Sequence, residues 1–355
     1  MSSKKKVLVV GGGLAGICLT HQLIKKDLDV KLIDLGENHS SRIAAGMINP
    51  MVFRTMVKTW KGDILLPYLQ KFYPEIEKTV GVKFFFPRDI RRVFTTEEEK
   101  EKWLLRQENP EYENYIEVIG KEDNAPSYVH SINGSGIVKS PGYIDAKLFM
   151  EANFRYFLNE GILTIEKFDF LSFIAEQLVY KGQHYDAVIF SEGYKGKENP
   201  FFNYLPLQQT KGEVLTIQSD ELNKSEILNR KCFVLPTEDG KFRLGATFTW
   251  NTTDISPTEE AKKTLIAQYQ QLSSAKITIE DQKGGIRPTV TDRRPLIGEH
   301  PMYKNIFIFN GLGTKGYMIA PYYSAHFIDF LLNHQLLDPE VDIKRFEKKH
   351  FKSVL

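Results

Sequence analysis

Val7-Leu8-Val9-Val10-Gly11-Gly12-Gly13-Leu14-Ala15-Gly16 is the stretch on which the fold turns. Four consecutive apolar residues, Val7 to Val10, suit a short strand buried on both faces. The glycine run breaks it. From Leu14 to Lys26 the apolar residues Leu14, Ile17, Cys18, Leu23 and Ile24 recur at helical spacing, and Asp29 to Leu35 reads as a second strand. This β-α-β order puts Gly11-x-Gly13-x-x-Gly16 at a strand-to-helix turn, where a dinucleotide fingerprint needs it. Gly11 permits the tight turn, and Gly13 lets a pyrophosphate approach the backbone. Gly16 lets the helix pack close to the strand. Leu14 and Ala15 open the helix, whose N-terminus offers N–H groups and partial positive charge to phosphate. Asp34 follows 18 residues after Gly16, where a carboxylate accepts ribose hydroxyls and repels a 2′-phosphate.

The chain has 355 residues, enough for two domains or one large one. Its hydrophobic content of 42% and charged content of 26% are those of an ordinary globular protein. A net charge of +2 does not favour nucleic acid or a polyanionic substrate. Cys18 and Cys232 are far apart and form no CxxC pair, so neither a metal site nor a redox dithiol is expected. No secretory apolar segment precedes the glycine loop, and no uncharged run reaches the ~18 residues of a membrane span. A cytoplasmic protein is expected.

Further along, Met56 to Phe72 is expected to contain a helix, and helices are expected over Thr96 to Gln107, Asp145 to Asn159, Pro257 to Gln271 and Tyr317 to Leu332. Strands are expected over Lys83 to Phe86, Ile90 to Phe94, Tyr185 to Phe190, Glu213 to Ile217, Cys232 to Leu235, Phe242 to Trp250 and Asn305 to Phe309. Residues 108 to 140 read as polar loop. Segments of α/β type at both ends enclose β-rich segments. The expected fold class is therefore α/β plus α+β. A discontinuous Rossmann-like domain (1–75, 141–203 and 284–355) carries an inserted mixed-sheet domain (76–140 and 204–283).

Several patches then share one resemblance. They are Ser41-Arg42-Ile43-Ala44-Ala45-Gly46-Met47-Ile48-Asn49-Pro50, Gly142-Tyr143-Ile144-Asp145, Asp186 to Gly193, Lys211-Gly212-Glu213-Val214-Leu215 and Gly245-Ala246-Thr247. To these are added Gly284-Gly285-Ile286-Arg287-Pro288 and Gly311-Leu312-Gly313-Thr314-Lys315-Gly316. Their order and spacing resemble the D-amino acid oxidase superfamily of flavoproteins, which includes glycine oxidase and monomeric sarcosine oxidase. The resemblance implies FAD as cofactor, with Ala45, Gly46 and Met47 beside the flavin and Gly193 at a later contact. Gly313, Thr314, Lys315 and Gly316 would lie near its pyrimidine end. It also implies that Arg287 holds a substrate carboxylate, which suits a planar fork of N–H donors. Lys315 either adds positive charge near the reduced flavin, or aids its reaction with oxygen, or is a solvated loop lysine. Arg293 and Arg294 read as a surface turn with Asp292 as local partner.

In several relatives a tyrosine precedes the strand proline, but Phe233 stands at the matching position here. Tyr317, Tyr322 or Tyr194 would have to supply a hydroxyl. Relatives with covalent flavin use a C-terminal cysteine. None follows Cys232, so noncovalent FAD is expected. The resemblance implies an FAD-dependent oxidoreductase acting on the C–N bond of a small amino acid or N-substituted glycine. Its electrons would pass to oxygen or another acceptor. Two alternatives stand beside it. One is an FAD-dependent 2-hydroxy acid dehydrogenase. The other is a tRNA wobble-uridine-modifying oxidase, because Gly46 to Pro50 also resembles the FAD domain of those bifunctional enzymes.

Overall fold

The computed structural model describes residues 4–37, 39–119, 123–139 and 142–351. The expected boundary between 140 and 141 falls outside them. The first strand, Lys6–Val10, lies inside a six-stranded sheet. In order across the sheet come Leu163–Ile165, Asp29–Asp34, Lys6–Val10, Ala187–Phe190, Ile306–Asn310 and Leu296–Glu299. All neighbours are parallel except the last pair. The strand that follows Lys6–Val10 in sequence lies on one side of it, and a much later one lies on the other. The turn at Gly11 therefore leaves the sheet at a topological switch point, where open α/β sheets bind their ligands.

The unbroken apolar runs have a simple cause. Successive side chains point to opposite faces, and both faces are covered. Val7, Val9, Leu32, Ile189 and Phe307 pack beneath the helices Leu14–Lys25, Ala146–Asn159 and Gly316–Asn333. Leu8, Val10, Ile33, Val188 and Phe190 face Phe168, Phe173, Tyr180 and Phe202. Cys18 is fully buried on the first helix, as its position on the apolar stripe suggested.

The second sheet has eight strands. Its spine is Leu207–Gln218, paired along one edge with Thr249–Trp250 and Phe242–Gly245, and along the other with Thr278–Val290. Phe233–Pro236, Glu226–Asn229, Asp89–Val93 and Ser135–Val138 complete it. Helix Glu259–Gln270 covers one face through Leu265 and Tyr269, against Leu215, Leu228, Val234 and Leu244.

Three expectations needed correction. The helix expected within Met56 to Phe72 begins at Gly62 and runs on to Val80. A two-stranded ribbon, Met51–Val52 with Val57–Lys58, occupies the start of that span. The helix runs through Pro67 and Pro74 and ends at Gly81, whose φ of 70° suits only glycine well. The segment Phe242 to Trp250 is two short strands interrupted at 246–248. Thr278–Val290 was not foreseen as a strand, and it runs unbroken across the position 283/284 where a boundary was expected. Its glycines and proline hide a strand signal that pairing with Leu207–Gln218 over its whole length supplies.

Candidate active site

Gly11 leaves the first strand at φ 103°, and a Cβ there would lie 2.5 Å from the Ser191 carbonyl oxygen. Its N–H donates to the Ile33 carbonyl at 2.8 Å. Gly16 serves packing, since a Cβ on it would sit 1.9 Å from the Gly11 carbonyl oxygen. Gly13 caps the first helix without a side-chain bond, so the helix opens directly onto a cavity. The closing helix begins beside it, where a Cβ on Gly316 would lie 3.0 Å from Leu14. Asp34 ends the second strand and is 9% exposed. Its Oδ2 accepts the Gly12 N–H and its Oδ1 the Gly36 N–H, both at 2.6 Å.

The small-residue segment crosses this region. Gly46 has φ 69°, and a Cβ on it would lie 1.8 Å from the Ile144 carbonyl oxygen. Met47 and Ile48 pair with Tyr143 and Gly142, so two patches singled out separately are neighbours. The Ser41 hydroxyl accepts the Leu14 N–H at 3.0 Å, and the Ser40 hydroxyl donates to the Ile286 carbonyl. This segment therefore ties the parallel sheet to the second sheet.

Gly11, Gly13, Leu14, Ala15, Asp34, Ala45, Gly46, Met47, Gly193, Gly313, Thr314, Lys315, Gly316 and Arg287 all line one cavity of about 520 Å³. Gly16, singled out with them, stands behind its wall. The lining fits a dinucleotide flavin. It combines glycine cradles, two helix N-termini and the Ser191 hydroxyl, a buried polar atom without a partner among the described residues. Neither cysteine lines the cavity.

Arg287 enters from the strand Thr278–Val290. Its Nη1 donates to the Lys211 and Thr247 carbonyls at 3.4 and 3.3 Å. No carboxylate lies within ion-pair distance among the described residues. Burial pulls its guanidinium down to about 10. The opposite Gly212 makes the room, because a Cβ there would lie 2.0 Å from Nη2. Neighbouring Lys211 is neutralised separately by Glu213 at 3.2 Å. The cavity therefore holds a desolvated cation with an open fork, a costly arrangement unless an anion joins it.

Lys315 is turned inward. Its Nζ donates to the Asn49 and Met51 carbonyls at 3.0 and 3.2 Å, and to the Thr59 hydroxyl. Burial pulls it down from the usual lysine range to about 8. Phe233 lines the cavity, as do Tyr194 and Tyr317, whereas Tyr322 does not. The Tyr317 hydroxyl donates to the Ser41 carbonyl at 2.8 Å. Arg293 is exposed in the turn as expected. Asp292 is the local partner expected, accepting the Arg294 backbone N–H at 3.0 Å, and it also takes the Arg345 guanidinium. The Arg294 guanidinium instead bonds Glu340 and lies over Trp60.

The sequence reading did not select Gly212, Thr247, Phe248, Glu192 or Asn310 as site residues, yet all line the cavity. Asn310 donates from Nδ2 to the Gly193 carbonyl and accepts the Gly311 N–H, both at 2.8 Å. Its position in the Asn310-Gly311 loop was the available signal. Burial pushes the Glu192 carboxyl up to about 7, and only a bond from Asn199 opposes this. No local pattern announced it.

Comparison with known proteins agrees with this geometry. Residues 6–329 match the family of FAD dependent oxidoreductases (DAO), and the chain belongs to that family. It is 23% identical to a glycine oxidase of Pseudomonas putida, over 94% of this chain and 97% of that protein. A shorter stretch, 34% of the chain and 20% of the relative, is 28% identical to the tRNA 5-methylaminomethyl-2-thiouridine biosynthesis bifunctional protein MnmC of Idiomarina loihiensis. Among solved structures, glycine oxidase from Geobacillus kaustophilus superposes with a TM-score of 0.78, covering 97% of this chain and 98% of that one at 19% identity. The protein is an FAD-dependent oxidoreductase of the DAO fold.

Proposed function

We propose that the enzyme oxidises the C–N bond of a small amino acid or N-substituted glycine, with Arg287 as the carboxylate anchor. The observation that carries this reading is the buried guanidinium of Arg287, without an acidic partner among the described residues, in the cavity that the glycine loop also lines. A substrate carboxylate completes the pair and fixes the neighbouring carbon toward the flavin side.

FAD, when bound, would supply the two-electron acceptor for a hydride equivalent from that carbon. The substrate nitrogen must be neutral, so that its lone pair forms the C=N bond as the hydride leaves. Water then converts the imine into a carbonyl compound and an amine. The lining residues from the second sheet suit a reaction without a side-chain base. Gly212, Val214, Phe233, Ala246, Thr247, Phe248, Gly285, Arg287 and Pro288 include no His, Asp or Glu. Oxidation of a hydroxy acid commonly calls for such a base to take the hydroxyl proton.

Lys315 lies in the loop assigned to the pyrimidine end of the flavin. Its charge there, with the closing helix N-terminus, would favour added negative charge on a bound flavin. FAD is held noncovalently, and oxygen or another acceptor takes its electrons. Anaerobic mixing with amino acids, N-methyl amino acids and 2-hydroxy acids tests the assignment through flavin bleaching. Bleaching by amines supports it; bleaching by hydroxy acids only would overturn it.

A further inference from the structure

Two aromatic rings stand open to solvent where the Arg287 pocket meets the surface. Phe248 is 48% exposed and Trp250 49% exposed. Strand Thr249–Trp250 is paired to Thr210 and Lys211, so its backbone is held. Trp250 and Arg287 both pair with Thr210, so their side chains share one face of the sheet, and the rings of Phe248 and Trp250 meet edge to face with centroids 5.0 Å apart. Phe248 also lies over the Arg287 guanidinium, 5.2 Å from Cζ to ring centroid, and lines the cavity. An aromatic wall thus leads from a buried cation out to the rim. Single exposed apolar residues need no explanation, but a ring pair joined to an open guanidinium is a built surface.

We propose that Phe248 and Trp250 recognise a flat aromatic or heteroaromatic group carried on the nitrogen of an N-substituted glycine. This rests on the assignment of Arg287 as carboxylate anchor. The nitrogen substituent is the end of such a molecule farthest from its carboxylate, and Phe248 extends from the guanidinium toward solvent. Glycine or sarcosine, held by the carboxylate, is too short to cover Trp250. A ring on the nitrogen reaches both side chains and takes them out of water. Aromatic contact adds a geometric preference that an aliphatic group of equal size lacks.

The test compares kcat/KM for sarcosine, N-benzylglycine and N-(cyclohexylmethyl)glycine in the holoenzyme and in Phe248→Ala, Trp250→Ala and Trp250→Phe. We expect N-benzylglycine to exceed both others by roughly tenfold. That advantage should collapse toward one in the alanine variants and return in Trp250→Phe. Both side chains are half exposed, and an unchanged flavin spectrum and melting temperature will verify that the variants fold. Equal use of all three substrates, or a benzyl advantage that survives both alanine variants, would overturn the proposal.

A second measurement separates this idea from the C–N assignment. The unreactive carbon analogue 4-phenylbutyrate and the aliphatic 4-cyclohexylbutyrate are titrated against the oxidised holoenzyme, following flavin absorbance. Tighter binding of 4-phenylbutyrate that is lost in Trp250→Ala supports the aromatic rim even if no amine bleaches the flavin. Amine turnover without any phenyl preference in either assay leaves the C–N assignment standing and ends this one.

Discussion

Arg287 keeps a positive charge where the described protein offers no negative one. A charge-assisted pair buried at such a site is worth about 2–5 kcal/mol on removal of one partner. Arg287→Ala should therefore raise the substrate concentration for half-maximal flavin bleaching by roughly two to three orders of magnitude, while FAD stays bound. Unchanged bleaching would remove Arg287 from the substrate. Lys315 belongs to the same scale. Burial sets it at about 8, so it is cationic below that pH and neutral above it. If it has the proposed role, its stabilisation of the reduced flavin would be present at lower pH and lost as pH rises through about 8. The flavin midpoint potential should show an extra fall above that pH, and Lys315→Met should lack the inflection and sit lower at pH 7. A shift of ~30 mV for a two-electron couple corresponds to about 1.4 kcal/mol, a reasonable size for one nearby charge. An identical potential–pH curve in the variant would leave Lys315 with only its bonds to Asn49, Met51 and Thr59.

At the scale of elements, two glycines separate the jobs of the two sheets. Gly212 belongs to the spine of the second sheet, and its missing side chain is the space that the Arg287 guanidinium fills. Gly212→Ala should weaken substrate binding about as strongly as loss of the arginine, with the flavin spectrum intact. Gly16 belongs to the first helix, and its missing side chain lets that helix meet the Gly11 turn. Gly16→Ala should instead yield protein depleted of FAD and with a lower melting temperature, because the whole helix must shift. Gel filtration followed by absorbance at the flavin band distinguishes the two outcomes. The elements also show where local pattern failed. Helix Gly62–Val80 carries two prolines that argue against it locally, and packing of Leu65, Leu69, Phe72 and Ile76 overrides them. Strand Thr278–Val290 lacks a strand-like composition at its centre, and its partner strand supplies the pairing.

For the whole molecule, the cavity is shared. Gly11, Gly193 and Asn310 come from the parallel sheet, and Gly212, Phe233 and Arg287 from the second. A cofactor held there stabilises both units together. At a free concentration about a thousand times its dissociation constant, FAD should add about 4 kcal/mol to stability. Calorimetry of holo and flavin-stripped protein should show one transition that rises with FAD. Acid precipitation should release all the flavin into the supernatant, since neither cysteine lines the cavity. Flavin retained in the pellet would contradict noncovalent binding. By itself, the sequence determined the nucleotide turn, the parallel sheet around it, the family and the cofactor. The turn and the sheet rest on glycines and apolar runs whose physics is local, acting within one turn or one strand; the family and the cofactor rest on a resemblance carried by patches along the chain. Tertiary structure alone decided that Arg287 has no acidic partner among the described residues, that Gly212 makes room for it, that Lys315 points inward and that Phe248 and Trp250 form one exposed wall. Each of these depends on which distant strand lies opposite, and pairing across the sheet is not written in the composition of either strand.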